Sequence, residues 1–314
     1  MPLNSNTLNS NILIYCDHLL PYSATFVRSQ AAALHSFTPY YVGSRLISGL
    51  PLPPERTLVV DPGNWVGKVE ALTYKLWGWA PNLVNRLQPL QPTLIHAHFG
   101  PDGVRALPLA RDLAVPLVVT FHGYDITMHD SYAQRSYSHR VYLKRRGELQ
   151  QKAARLIAVS EFIKRKLLAC GFPAERIIRH YIGVDTTFFT PDLTIPREPI
   201  VLFAGRLVEQ KGCKYLIQAM NQVQTVCPEA ELVIIGDGPL RTELEQLAKS
   251  RLRRYRFLGV QSPQSVRAWM NRAQVFSVPS VTAVTGESEA FGIVFAEAQA
   301  MGLPVVSSTS GGIP

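Results

Sequence analysis

Residues 93–121, TLIHAHFGPDGVRALPLARDLAVPLVVTF, read as two strands with a helix between them. TLIHAH (93–98) and PLVVTF (116–121) are short apolar runs of the kind buried on both faces of a sheet, and RLIAVS (155–160) repeats the pattern. Such runs alternating with helical segments predict a parallel sheet covered by helices, an α/β fold. Ligands of these sheets bind beyond the carboxyl ends of the strands, where His98, His122 and Ser160 fall. His96 and His98, two apart, are read as pointing to opposite faces, one toward the core, which argues against a shared metal. His122, in FHGYD, lies just past a strand and is placed to touch a substrate. A structural role fits it equally, and Asp125 reads as a cap for the next segment.

Toward the N-terminus, ILIYC (12–16) reads as a buried strand, followed by a loop at 17–23 and a helix over 24–34. Strands are expected at 39–42 and 57–60, on either side of the Pro-rich loop 50–54. Residues 65–87 form one helical segment carrying Trp65, Trp77 and Trp79, interleaved with Lys68, Lys75 and Arg86. Packing of these tryptophans into the core is the simpler expectation; contact with a membrane surface or a lipid-linked acceptor is the other. Residues 132–152 are basic and tyrosine-rich, with Arg140 and Lys144 on one helix face. A solvated face accounts for them, attraction to anionic lipid is the alternative, and no nucleic-acid-binding module accompanies them.

TTFFTPDLTIPREP (186–199) breaks the alternation with three prolines and reads as a linker between domain 1–185 and domain 200–314. The pattern then restarts. Strands at 200–204, 232–235, 256–258, 274–278 and 304–307 alternate with helices around 214–226, 239–252, 264–273 and 291–301, which predicts a second doubly wound sheet.

At 314 residues the chain is long enough for two cores. No apolar run reaches the roughly 20 residues of a membrane span, and MPLNSNTLNS has neither the basic start nor the apolar core of a signal peptide, so a cytoplasmic protein is expected. The four cysteines form no CxxC pair and suit a reducing compartment. A net charge of +9 favours polyanions, anionic lipid surfaces or phosphorylated substrates without choosing among them.

Chemistry concentrates in the second half. In GESEAFGIVFAEAQAMGLP (286–304), Glu289 and Glu297 bracket an apolar, helix-forming run. On one helix, at about 1.5 Å per residue, they span roughly 12 Å, about the reach of a nucleotide sugar from ribose to hexose. Gly292 falls near the expected helix start, where unpaired N–H groups and the helix dipole hold a diphosphate. Acidic pairs at this spacing also occur on exposed helix faces. GRLVEQKG (205–212) follows a strand end, and Arg206 and Lys211 can converge there on negative charge that builds on a departing phosphate. No GxxxxGK[ST] loop is present, and the GxGxxG that starts at Gly236 has Arg241 in place of its third glycine. No Asp-x-Asp pair offers to hold a divalent ion, so no metal and no separate cofactor is expected.

Together these residues resemble the retaining, GT-B-fold glycosyltransferases of the glycosyltransferase 4 type. The resemblance runs through IHAHFG (95–100), TFHGYD (120–125), AVSEF (158–162), IGVD (182–185), FAGRLVEQKG (203–212), IGDGP (235–239), the Glu-x7-Glu stretch and GLPVVSSTSGGIP (302–314). The wording of 282–306 is most similar to the bacterial exopolysaccharide or colanic-acid branch. It implies two Rossmann-like domains facing across a cleft, the second one incomplete, and a nucleotide-diphosphate sugar as donor. By the same resemblance, Glu289 binds donor-sugar hydroxyls, the amides of Phe291, Gly292, Ile293 and Val294 meet phosphate and sugar, and Glu297 takes the ribose hydroxyls. Arg206 and Lys211 match the diphosphate-binding pair, Val260 lies at the nucleotide base, and His122 approaches the transferred sugar. The leaving phosphate would accept the acceptor's proton, so no protein base is required.

Two departures stand out. DHLLPYSATFVRSQ (17–30), with Tyr22–Thr25, replaces the glycine-rich loop of many relatives. Relatives also continue past Pro314 with a glutamate, another strand and terminal helices, so the chain reads as C-terminally truncated, with lower stability expected. The expected function is transfer of a hexose to a glycan or lipid-linked glycan, with peripheral contact at the inner face of an anionic membrane as a further partner. A non-catalytic nucleotide-sugar-binding fragment, a related nucleotide-sugar epimerase and, more remotely, an NAD oxidoreductase are the alternatives.

Overall fold

A computed structural model describes residues 10–21 and 24–314, so Tyr22 and Ser23 of the departing loop, and most of the start read for a signal peptide, lie outside the described residues. The chain divides into two compact units, one holding the described residues up to Ile126 with Asp130–Tyr181, the other Thr127–His129 with Ile182–Pro314.

The first unit is built on β1 (Ser10–Tyr15), β2 (His18–Leu19), β3 (Phe37–Leu46), β4 (Thr57–Asp61), β5 (Leu94–His98), β6 (Leu117–Phe121), β7 (Arg155–Ala158) and β8 (Ile177–Arg179). Every pairing among the described residues is parallel: β3 pairs with β1, β2 and β4, and the sheet continues from β1 through β5, β6 and β7 to β8. Strand order therefore reverses between β1 and β5. Between and after the strands run α1 (Thr25–Ala32), α2 (Trp65–Trp77), α3 (Pro81–Leu87), α4 (Gly100–Asp112), α5 (Tyr124–Thr127), α6 (Asp130–Ala133), α7 (Tyr137–Lys152) and α8 (Glu161–Ala169). Ile95, Ala97, Val119, Phe121, Leu156 and Ala158 are all buried. Cover on both faces is why these strands read as unbroken apolar runs.

Residues 65–87 fold as two helices, not one. Gly78, at φ 71°, closes α2 in the left-handed conformation, and Pro81 opens α3 with the φ its ring already imposes. The expected core packing of the tryptophans is overturned, since Trp65, Trp77 and Trp79 are 76%, 72% and 59% exposed. What α2 buries instead is Gly67, Glu70 and Tyr74. Glu70 accepts the Leu83 N–H at 3.1 Å, and the Tyr74 hydroxyl donates to the Arg105 carbonyl at 2.7 Å beside the Tyr15 hydroxyl.

In the second unit β9 (Glu198–Ala204), β10 (Glu231–Ile235), β11 (Tyr255–Gly259), β12 (Ala273–Ser277) and β13 (Val305–Val306) pair in parallel in the order β11-β10-β9-β12-β13. The order reverses between β9 and β12. The helices are α9 (Cys213–Val226), α10 (Arg241–Arg251), α11 (Pro263–Arg272) and α12 (Ile293–Ala300), packed over a core that includes Leu202, Phe203, Ile217, Leu232, Ile234 and Phe276. Arg197, inside the Pro-rich segment, gathers the carbonyls of Met270 (3.2 Å), Ala273 (2.6 Å), Met301 (2.9 Å) and Gly302 (3.2 Å). One guanidinium thereby satisfies orphan carbonyls at the ends of both α11 and α12.

Candidate active site

The second unit gathers its charged groups where the strand order reverses. After β9 the GRLVEQKG loop tightens into a short turn over Glu209–Lys211, and Lys211 Nζ lies 2.5 Å from Glu289 Oε2. Ser280 Oγ, in the loop after β12, donates to the same oxygen at 3.3 Å. The Glu289 side chain is only 10% exposed. A carboxylate this enclosed requires such partners.

The helical Glu-x7-Glu arrangement is corrected here. Gly292 sits at φ 76° as the residue before α12, which runs only over Ile293–Ala300, so Glu289 belongs to the preceding loop. The 12 Å helical span does not apply. Left-handed Gly292 breaks the helix and leaves Glu289 in a loop that reaches Lys211. The first-turn amides of Ile293 and Val294 have no carbonyl a turn earlier to bond and remain available at the helix start. Glu297, one turn into α12, is partly buried, and its carboxyl makes no hydrogen bond or ion pair among the described residues. Burial pushes its pKa up to about 7.

Arg206 and Lys211 stand on the same loop, but only Lys211 turns inward; Arg206 is exposed and makes no ion pair among the described residues. Val260, after β11, is 75% exposed. Phe291 and Gly292 lead directly into α12. Arg241, in the place of a third glycine, bonds Asp237 at 3.0 Å and Glu245 at 2.8 Å, so the position serves an ion-pair network at the start of α10. Sequence reasoning missed Ser280 and the Gly311–Gly312 pair. The Gly312 N–H donates to the Glu289 carbonyl at 2.7 Å, and a Cβ on Gly311, at φ 61°, would lie 2.1 Å from that oxygen. The adjacent glycines in STSGGIP were the available signal for so close a backbone approach.

The first unit furnishes its strand ends differently. His96 and His98 share one face, their rings stacked 4.4 Å apart, which corrects the opposite-face expectation: strand side chains alternate with a period of two, so residues two apart point the same way. His96 Nε2 lies 2.7 Å from Thr120 Oγ1, and His98 Nδ1 shares a 3.0 Å hydrogen bond with His122 Nε2. Phe26 and Phe99 enclose the His122 ring at 4.6 and 4.8 Å. Burial lowers His96 to about 4 and His122 to about 3, and drives His98 well below its ordinary value, so all three imidazoles are neutral near pH 7. His122 Nδ1 has no hydrogen-bond partner among the described residues.

Asp125 is more than a cap on its own segment. It accepts the N–H groups of Gly100 at 3.0 Å, Gly123 at 2.8 Å and His122 at 3.4 Å, tying the loops after β5 and β6 together, and burial raises its pKa to about 6. Phe99 holds φ 73°, which a bulky side chain rarely adopts, with its N–H on the Thr120 carbonyl at 2.8 Å. Ser160, by contrast, is the N-cap of α8, accepting the Ile163 N–H at 3.2 Å.

Comparison with known proteins agrees with this architecture. Residues 27–188 match the family model described as Glycosyltransferase Family 4, and residues 198–314 the one described as Glycosyl transferases group 1. Among curated relatives, WcaL of Salmonella typhimurium, named for colanic acid biosynthesis, is 33% identical over 236 residues, covering 72% of this chain and 56% of that protein. The amylovoran biosynthesis glycosyltransferase AmsK of Erwinia amylovora is 30% identical over 267 residues, 82% of this chain and 63% of the relative. The chain thus spans somewhat over half the length of these relatives. Among solved structures, Anabaena HepE superposes with a TM-score of 0.70 at 20% identity, and the sucrose-phosphate synthase of Thermosynechococcus elongatus with 0.72 at 22%; each alignment covers 97% of this chain and 82% of the other. With two parallel-sheet units of the GT-B kind and a match to the family model over more than half its length, the chain belongs to glycosyltransferase family 4.

Proposed function

We propose that the protein is a metal-independent, retaining hexosyltransferase that uses a nucleotide-diphosphate sugar and extends a glycan or lipid-linked glycan in exopolysaccharide or cell-surface polysaccharide synthesis, at the cytoplasmic face of a membrane. The observation that carries this reading is the Lys211–Glu289 pair beside the open start of α12. It places a cation, a carboxylate and helix-terminal amides together, the set needed to hold phosphate and sugar at once. Support for the donor class comes from HepE, whose structures hold UDP with glucose or UDP-glucose, and for the pathway from the relatives' names.

In this reading Lys211 and Arg206 neutralise the diphosphate as its charge grows, helped by the amides of Phe291, Gly292, Ile293 and Val294. Glu289 accepts hydroxyls of the donor sugar, Glu297 accepts those of the ribose, and Val260 lines the base. His122, neutral and with Nδ1 unpaired, is assigned to the transferred sugar. The glycosidic bond to phosphate breaks as the acceptor oxygen bonds the same face of the anomeric carbon. Its proton passes to the leaving phosphate oxygen.

A panel of nucleotide sugars, scored by thermal stabilisation of the wild type, Glu289→Gln and Arg206→Ala, tests the site. Stabilisation by one donor that falls in both variants is expected; equal stabilisation of all three proteins removes the assignment. Release of nucleotide diphosphate with a lengthened acceptor supports transfer, whereas donor binding without turnover reduces the chain to a binding module.

A further inference from the structure

His98 and His122 meet through a geometry that the first sheet uses twice. In the register of β5 and β6, His96 stands opposite Val118 and His98 opposite Thr120. Each histidine nevertheless bonds a residue two positions further along the neighbouring segment. His96 Nε2 reaches Thr120 Oγ1 at 2.7 Å, and His98 Nδ1 reaches His122 Nε2, just past the end of β6, at 3.0 Å. Residues two apart on a strand share a face, so the two bonds run as parallel diagonals on one face of the sheet. The first ends on a buried hydroxyl. The second ends on a ring whose other nitrogen, Nδ1, is enclosed and has no hydrogen-bond partner among the described residues.

A neutral imidazole carries one ring proton, so the bond between the two rings sets both tautomers together. If His98 Nδ1 donated, the proton of His122 would sit on Nδ1, an enclosed N–H with no acceptor. If His122 Nε2 donates, Nδ1 is a bare lone pair, and an enclosed acceptor without a partner is borne more readily than an enclosed N–H. We propose that His98 is the positioning residue of His122: its Nδ1 accepts the His122 Nε2–H, fixes the ring, and leaves the Nδ1 lone pair of His122 to accept a hydroxyl of the transferred sugar. The sugar's part in this rests on the hexosyltransferase reading, whereas the bond and the tautomer belong to the first unit alone.

Neighbouring groups leave this task to His98. Phe26 and Phe99 hold the His122 ring at 4.6 and 4.8 Å but offer it no acceptor. Asp125 takes the backbone N–H of His122 at 3.4 Å, not a ring nitrogen. An imidazole partner also keeps charge out. A carboxylate at position 98 would favour the imidazolium of His122, in which both nitrogens donate and no lone pair remains. Burial acts in the same direction, holding both rings below the ordinary 6.5.

NMR of the imidazole nitrogens in the unliganded chain near neutral pH tests the bond, since their shifts report which nitrogen holds the proton. His122 protonated on Nε2 and bare at Nδ1 is expected in the wild type. His98→Asn, whose carboxamide oxygen can stand close to the place of Nδ1, should keep that tautomer. His98→Phe keeps a ring against His96 without an acceptor, and should lose it. Thr120→Val cuts only the other diagonal and should leave His122 unchanged. A packing role predicts the reverse order, with Phe tolerated and Asn harmful. Release of UDP from UDP-glucose reads the consequence for catalysis. In His98→Phe kcat should fall about tenfold or more with KM within about twofold, and in His98→Asn it should return to within about threefold of the wild type. A proton on His122 Nδ1, an unchanged tautomer in His98→Phe, or equal losses of kcat in the two His98 variants would each overturn the proposal. The expected tautomers without UDP release in any of the proteins would uphold the positioning of His122 and count against the transferase reading with this donor.

Discussion

Each of the two sheets reverses its strand order once, and the two reversals are furnished in opposite ways. Near the first, three imidazoles are packed against one another and against phenyl rings, and burial strips them of charge. At the second, a lysine and a glutamate are brought within 2.5 Å of each other with a serine hydroxyl alongside. The backbone architecture creates a crevice in either case. The side chains decide whether desolvation is met by giving up charge or by pairing it, and only the second choice keeps charged groups in the crevice.

The most direct way to break this contrast is to remove one partner of the pair. Lys211→Met leaves Glu289 enclosed with Ser280 alone, and should cost about 3 to 4 kcal/mol in urea unfolding of the second unit. Adding Glu289→Gln should recover much of it. Additive losses from the two changes would show that they do not act as a pair.

Glu297 sharpens the contrast from inside the same unit, because it is desolvated without a partner. Its folded pKa of about 7 stands above the 4.5 of an ordinary glutamate. The folded state therefore keeps a proton that the unfolded chain has lost, and the stability this confers disappears as pH rises from about 4.5 to about 7. Between pH 5 and pH 8 the wild type should lose about 2 to 3 kcal/mol more than Glu297→Gln. Parallel pH profiles would place the carboxyl in water.

Gly311→Ala forces a side chain against the Glu289 carbonyl at a left-handed φ and should cost about 1 to 2 kcal/mol, measured by thermal melting. The least effect near neutrality belongs to the histidines. Their folded values lie below the ordinary 6.5, so the stability that they contribute is present above 6.5 and is lost as pH falls, the opposite sign to Glu297. NMR titration should find His96 neutral to about pH 4 and His122 to about pH 3. Protonation of either near pH 6 would dissolve the contrast between the two crevices.

Both parallel sheets were legible because strands covered on two faces leave unbroken apolar runs, as in PLVVTF and IVLFA, and those runs fell on β6 and β9. Glu289 and Lys211 were legible as chemistry but not as geometry, since a left-handed glycine at position 292 keeps α12 from reaching back to Glu289 without altering the residues on either side. The burial of α2 was misread for a related reason. Hydrophobicity says that Trp65 and Leu76 want cover, not that the sheet accepts Gly67, Glu70 and Tyr74 in their place. Ser280 and Gly312 touch Glu289 from loops whose approach no local pattern encodes.

Arg197 holds α12 by the end far from the candidate site, through the carbonyls of Met301 and Gly302. An eight-residue helix is about 12 Å long, so a tilt of about five degrees about that anchor carries its amino end through about 1 Å. A misplacement of about 1 Å is enough to cost a reaction that depends on positioning about a hundredfold. The angular precision of the amides at the start of α12 is thus set by a guanidinium in the Pro-rich segment before β9, a residue that itself touches none of the proposed chemistry.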